Sequence, residues 1–304
     1  MRYTLPLKYI ESITRAGSIR KAAEDLSITA SALNRRILAM EEELGVSLFE
    51  RLPQGVRLTS AGELFLQMSR MHLADLDRVK SQIADLKGVR RGHISIACSQ
   101  ALLSSFIPQQ VAKYRSMHPG VTFSVLARDR SDAVDAVINM QADLAVVFEP
   151  TRQVDFQVIH AESQPIYAIL SADHPLSSKT TIRLGECLNY DLALPKSTIG
   201  VRYLLEDALK ADARKLEPVL ESDSFETLRY YARYEQVITF QIAVGLPEKE
   251  DSSGLVYIPL DQNDVNPGIM YVGQLRHRAL PVAAAKFANQ LSEALDETVN
   301  TLSE

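Results

Sequence analysis

Apolar residues recur at helical spacing through the first third of the chain. Leu7, Ile10 and Ile13 mark one helix over 6–16, and Gly17 ends it. Ser18 is an N-cap type for a second short helix, with Ile19, Ala22, Ala23 and Leu26 on its inner side. Ser27-Ile28 makes a tight connection and Thr29 is the next N-cap. Leu33, Ile37, Met40 and Leu44 then form one stripe of a third helix, which Gly45 stops. Residues 48–51 and 56–59 alternate like two short strands around Pro53-Gln54-Gly55, a turn-forming tip. Three helices and a hairpin predict a winged helix-turn-helix over 1–59, with the helix-turn-helix at 18–37.

Thr59 or Ser60 can cap a long helix reaching about Gly88. Phe65, Met68, His72, Leu76, Val79, Ile83 and Leu86 recur along it at close to the heptad spacing of a coiled-coil seam, which His72 interrupts. The segment 60–91 is therefore expected to be a linker and dimerisation helix ending in a basic hinge, Val89-Arg90-Arg91-Gly92. A single amphipathic helix packed on its own domain is the alternative.

After the hinge the pattern changes. Ile94, Ile96 and Cys98 alternate, Ser99 and Gln100 open a helix, and Val121, Phe123 and Val125 alternate again. Ser131 can cap a helix ending near Gln141, and Leu144–Phe148 is a wholly apolar strand. Strands interleaved with helices predict a parallel sheet with both faces covered. A second unit runs through Tyr167–Leu170, Leu192–Leu194, a helix after Thr198, and Val237–Phe240. The chain returns with Gly268–Gln274 and a last helix from about Pro281. The expected class is α/β: a two-lobed body over 92–304, with lobe 1 at about 92–162 and 267–304 and lobe 2 at about 163–266. Ligands of such bodies sit in the cleft where strand C-termini and helix N-termini meet.

Composition narrows the function. The chain has 304 residues, 46% apolar and 23% charged, with a net charge of −5. Residues 1–91 carry 15 Lys/Arg against 11 Asp/Glu, whereas the remainder carries 18 against 27. The N-terminal third is thus the part a polyanion can approach. No apolar run is long enough to span a membrane, and no long apolar segment follows Met1–Lys8, so a cytoplasmic protein is expected. Cys98 and Cys187 read as reduced core thiols or, more sharply, as a redox pair that nothing nearby supports. None of the six histidines has metal-ligand spacing to another, and there is no nucleophile elbow, phosphate-binding glycine loop or Cys-x-x-Cys. No metal, cofactor or catalytic residue is expected. Glu41-Glu42-Glu43 is a solvated run on the third helix.

A recognition helix needs a buried stripe, small residues for close approach, and polar tips for bases and phosphates. Opposite Leu33 and Ile37 lie Ser31, Asn34 and Arg35, with Ala30 near the N-terminus and Arg36 on the flank. Asn and Arg are the types that pair bidentately with adenine and guanine. Ser18 and Thr29 can meet phosphates, and Arg51 and Arg57 bracket the wing.

The stretches Gly17-Ser18-Ile19-Arg20-Lys21-Ala22-Ala23-Glu24, Ser31-Ala32-Leu33-Asn34-Arg35-Arg36-Ile37, Glu42–Arg51 and Arg57-Leu58-Thr59-Ser60-Ala61-Gly62 resemble the LysR-type transcriptional regulators. The likeness is dense here and looser over the rest of the chain. It implies a homo-oligomer, often a dimer of dimers, that binds double-stranded promoter DNA and responds to a small molecule in the inter-lobe cleft. It places the base-reading stretch on Thr29, Ala30, Ser31, Asn34, Arg35 and Arg36, with the wing at Arg51–Arg57. Most members have Gln-Pro at Ala30-Ser31 and Ser at Asn34, and a subset reads Ser-Ala-x-Asn-Arg as this chain does, so an operator cannot be borrowed. The effector is expected at Ser99, Gln100, Ala101, Arg130, Ser131, Phe148, Ser197, Thr198, Phe225 and Thr227. Hydroxyls and helix N-termini there suit an anionic metabolite. Tyr234, Gln236 and Gln241 replace two glycines and a proline common in the family. The rival readings are an enzyme on the α/β body, which lacks a catalytic set, and a solute-binding protein, which the missing export signal and basic N-terminal third oppose.

Overall fold

The computed structural model describes residues 5–86, 92–151, 154–210, 214–247 and 254–303. The chain divides into two compact units, Met1–Leu86 and Lys87–Glu304. The hinge residues Val89, Arg90 and Arg91 lie outside the described residues.

In the first unit, α1 (Leu5–Ala16), α2 (Ile19–Asp25) and α3 (Ala30–Leu44) precede a hairpin of β1 (Phe49–Leu52) and β2 (Gly55–Leu58), and α4 (Ser60–Leu86) follows. Thr29 caps α3, its hydroxyl accepting from the Ala32 amide at 3.2 Å. Ser18 occupies the N-cap position of α2 with extended backbone, but its side chain makes no capping bond. Gly45 closes α3 in the left-handed conformation that a side chain disfavours. The core joins Tyr9, Ile10 and Ile13 of α1 to Ala22, Ala23, Leu33, Ile37, Leu48, Phe49 and Leu66. The expected stripe of α3 holds as far as Met40, half-buried against this core, and ends before Leu44, which is exposed.

Helix α4 packs on its own unit through Leu66 and Ser69, with the Arg70 guanidinium reaching Glu11 at 3.4 Å. These residues lie off the expected seam, but Phe65 on the seam packs against the same core. On the seam, Phe65, Met68 and Leu76 are half-buried, while His72, Val79 and Ile83 are exposed. The side chain of Leu86 lies outside the described residues.

The second unit is two-lobed. Lobe 1 contains β3 (Gly92–Cys98), α5 (Phe106–Met117), β4 (Val121–Ala127), α6 (Arg130–Ile138), β5 (Leu144–Phe148) and β6 (Phe156–Gln164). Lobe 2 contains β7 (Ile166–Ser171), α7 (Leu184–Cys187), β8 (Leu192–Pro195), α8 (Gly200–Ala208), β9 (Pro218–Ser222), α9 (Phe225–Tyr231), β10 (Thr239–Ile242) and β11 (Leu255–Pro259). The chain returns to lobe 1 with β12 (Gly268–Leu275) and α10 (Val282–Ser303).

The lobe 1 sheet has the order β4-β3-β5-β12-β6. Strand β3 runs parallel to β4 and β5, joined by helices as expected, but β12 is antiparallel to both β5 and β6. In lobe 2, β7 is flanked antiparallel by β10 and β11, and only β8 and β9 pair in parallel. The lobe 1 sheet is therefore mixed rather than parallel, and lobe 2 holds an antiparallel three-stranded sheet and a separate parallel pair. Only one residue separates β6 from β7, which belong to different sheets, so the chain passes directly from lobe 1 to lobe 2 there. Two helix starts also move. Ser99 opens only a 3₁₀ turn, Gln100–Leu102, with α5 starting at Phe106. Asp129 rather than Ser131 takes the N-cap position of α6, which ends at Ile138. Among the described residues, no helix is long and apolar enough to cross a membrane.

Candidate functional site

The N-terminal half of α3 presents Thr29, Ala30, Ser31 and Arg35 to solvent. Cross-strand pairing and packing fix how the nearby cations are held. Arg57 stands opposite Glu50 in the hairpin and is ion-paired with it. Arg36 lies with its guanidinium carbon 5.1 Å from the ring centre of buried Tyr9, a cation–π contact that draws it toward α1. Arg51 on β1 donates from Nη2 to the Asn34 Oδ1 at 2.8 Å, tying the wing to the recognition helix. That bond leaves the Asn34 amide nitrogen as the group with donors to offer a base. Among the described residues Arg35 has no partner, so its whole donor fork faces outward. Sequence alone did not single out Tyr9 or Glu50, although the Glu50–Arg57 pair follows once the hairpin register is set.

In the second unit a cleft of about 770 Å³ opens between the lobes. Of the expected effector residues it is lined by Gln100, Arg130, Ser131 and Thr198. The others are elsewhere. Ala101 is in the core, and Phe225 is buried at the start of α9. Phe148 is buried against Gly268, where a Cβ would fall 2.1 Å from its ring. Ser197 and Thr227 are exposed but do not line the cleft. Ser99 is buried behind the wall, its hydroxyl donating to Asp129 Oδ1 at 2.5 Å.

Asp129 is one of several lining residues that sequence reasoning missed. The Gln100 amide also reaches its Oδ1, at 3.4 Å. Burial pushes its carboxyl above the ordinary carboxylate range, against the lowering effect of these two hydrogen bonds. The hydroxyl and helix start expected to receive an anion thus already serve an internal carboxylate. Next to it, Arg130 holds a left-handed backbone (φ 44°), and its guanidinium lies 4.5 Å from the ring centre of Tyr203 on α8. Such backbone costs a non-glycine residue about 1 kcal/mol or more and concentrates at functional sites. Gln100 bridges the lobes, its Oε1 accepting from the Phe225 amide at 3.0 Å. Asp223, also on the wall, is held by Lys196 at 3.0 Å, which keeps its carboxyl below the usual range.

The remaining departures sit apart from the cleft lining. Tyr234 and Gln236 are exposed, and Gln241 is buried with its Oε1 accepting from the Ile242 amide. Cys98 and Cys187 are both buried and free, and burial pushes both thiols up to about 12. Neither is poised as a nucleophile near neutral pH.

Two family profiles match the chain. The LysR substrate binding domain covers residues 87–296, and the bacterial regulatory helix-turn-helix of the lysR family covers residues 6–63. The chain belongs to the LysR family. It is a DNA-binding transcriptional regulator with an effector-binding domain. It is 28% identical to the transcriptional activator CmpR of Synechocystis over 72% of this chain and 71% of that one. It is 25% identical to the regulator CbbR of Sinorhizobium medicae over 92% and 89% of the two chains. Among solved structures, full-length OxyR from Pseudomonas aeruginosa has a TM-score of 0.72 at 17% identity, covering 96% of this chain and 94% of that chain. CbnR in complex with its target DNA has a TM-score of 0.65, also at 17% identity, with 96% and 99% covered. At these identities the structures show the fold, not the ligand.

Proposed function

We propose that this LysR-family protein acts in the cytoplasm as a dimer joined along the α4 seam, assembling further into a dimer of dimers. It reads promoter duplex with the exposed edge of α3. The observation that carries the DNA half is the unpaired Arg35, beside Asn34 whose carbonyl is already held by Arg51. Thr29, Ala30 and Ser31 allow close approach, while Ser18, Arg36, Arg51 and Arg57 serve the backbone. The Ser-Ala-x-Asn-Arg pattern marks a subset whose operator differs from that of relatives with Gln-Pro at the same place. The exposure of Val79 (43%) and Ile83 (50%) supports the C-terminal part of the seam, since α4 packs on its own unit through residues nearer its start, Phe65, Leu66 and Ser69. The chain is expected to retard DNA from its own upstream region. That affinity should fall by at least tenfold between about 50 and 200 mM salt as counterions are released. Retardation insensitive to salt would count against phosphate contacts.

The effector half rests on opposed chemistry within one cleft. Arg130 and Thr198 suit an anionic group. Asp129, already accepting from Ser99, asks instead for a donor. The effector class that satisfies both is a small carboxylate carrying a hydroxyl or amino group. A thermal-shift panel of plain carboxylates and their hydroxy and amino counterparts tests this. Substituted members should bind about 10-fold or more tightly than plain ones, the worth of one charge-assisted hydrogen bond. Asp129→Asn should erase that preference. Equal binding of both classes by the wild type refutes the donor assignment.

A further inference from the structure

A cluster of metal-ligating side chains lies in lobe 1, and neither DNA binding nor the effector cleft uses it. His160 and Glu162 are two residues apart on β6, so both project to the same face, and Asp296 comes from α10. Each offers one ligand atom, and the three atoms lie within 4.8 Å of one another. The His160 Nε2 is 3.0 Å from the Asp296 Oδ1 and 3.9 Å from the Glu162 Oε2.

Two observations set the group apart from an ordinary ion pair. First, the Nε2 is sealed from solvent yet has no hydrogen-bond partner, despite the short contact with Asp296. The carboxylate oxygen is therefore near the ring nitrogen without receiving its hydrogen. Two oxygens near a nitrogen, with no directed bond, is the arrangement of three donors around a common point. Second, the β6–β12 register shifts between Val272 and Gly273, opposite the residues that lead into His160. Bulges of this kind re-aim a side chain out of the regular pleat.

The distances fit a cation. Bonds of about 2.0–2.2 Å in a tetrahedral sphere separate neighbouring ligand atoms by roughly 3.3–3.6 Å; the two distances at His160 bracket this, and the three atoms, within 4.8 Å of one another, need close only slightly around an ion. One imidazole with two carboxylates suits a borderline ion such as Zn²⁺. Mg²⁺ and Ca²⁺ prefer an all-oxygen shell of six or more ligands. Asp296 is half-exposed, which leaves room for water as a fourth ligand. We propose that His160, Glu162 and Asp296 form a binding site for a zinc-class divalent cation, which clips the C-terminal helix to the edge strand of the lobe 1 sheet. Sequence spacing did not show it, because the third ligand is far along the chain from the other two.

The test is calorimetric titration of the chelator-stripped full-length protein with ZnCl₂. Wild type is expected to take up one equivalent that Glu162→Gln and Asp296→Asn each lose. Its melting temperature should rise by about 5 °C when zinc is 100-fold above Kd, with no rise in either variant and none with MgCl₂. Metal-free melting of both variants at the wild-type temperature shows that the fold is kept. Asp296→Asn, at a half-exposed position, carries the test if Glu162→Gln does not fold. Zinc uptake unchanged in the variants places the ion elsewhere and overturns the proposal. So does a wild type that binds no zinc at millimolar concentration.

Discussion

Arg35→Ala is expected to weaken binding to the cognate duplex by about 10²–10⁴-fold. A bidentate arginine–guanine pair is worth roughly 1–3 kcal/mol of discrimination, about 10–100-fold, and a dimer uses the residue twice. The expectation rests on Arg35 being the cation of α3 that no other group holds. Arg36 is drawn onto Tyr9. Arg57 is paired with Glu50. Alanine at either position should cost markedly less. Fluorescence anisotropy with cognate and scrambled duplexes at one fixed salt separates the cases. Loss of a base contact lowers cognate affinity while leaving scrambled binding within a few-fold. Equal losses on both duplexes would make Arg35 a phosphate contact, and a cognate affinity within threefold of wild type would remove it from the interface.

The second large effect is on folding. At Gly62 a Cβ would fall 2.0 Å from the carbonyl oxygen of Leu48 and 2.9 Å from a methyl of Leu58. The oxygen cannot step aside easily, because it accepts from the Thr59 amide at 3.0 Å. Nor can the helix start, because the Gly62 amide donates to the Thr59 hydroxyl, also at 3.0 Å. Overpacking commonly costs about 1–3 kcal/mol, and a clash with hydrogen-bonded backbone belongs at the upper end. In a unit of this size about 3 kcal/mol lowers the melting temperature by more than 10 °C. Gly62→Ala should therefore melt the DNA-binding unit early while the effector-binding unit keeps its own transition. Calorimetry reads both. A first transition within 2 °C of wild type would show that the contact relaxes at little cost.

The N-terminal helices were legible because each announces itself twice, by an apolar stripe and by its stops. Thr29 and Gly45 bound α3 where the pattern places them. The lobes were harder to read. Strand β6 shows exposed Val158 and Ile159 beside half-buried His160 and Glu162, so apolarity does not mark its inner face. Strands β9 and β11 are short and partly exposed, and escaped notice for the same reason. The effector residues were placed by position along the chain, which says nothing of depth. Ser99 and Ala101 belong to the wall, one layer behind the surface that Gln100 presents. Asp129 went unseen because an acid after an arginine ordinarily reads as solvated. Only the fold shows the Ser99 hydroxyl turned toward it.

The two buried sulfurs bear on what the regulator can sense. A thiol with a pKa of about 12 is a thiolate for roughly one part in 10⁵ at pH 7, some three thousandfold less than an ordinary cysteine. Peroxides and electrophiles react with the thiolate, so in the folded chain Cys98 and Cys187 are nearly invisible to them. Sharing a fold with OxyR therefore does not by itself give this chain a reactive sulfur.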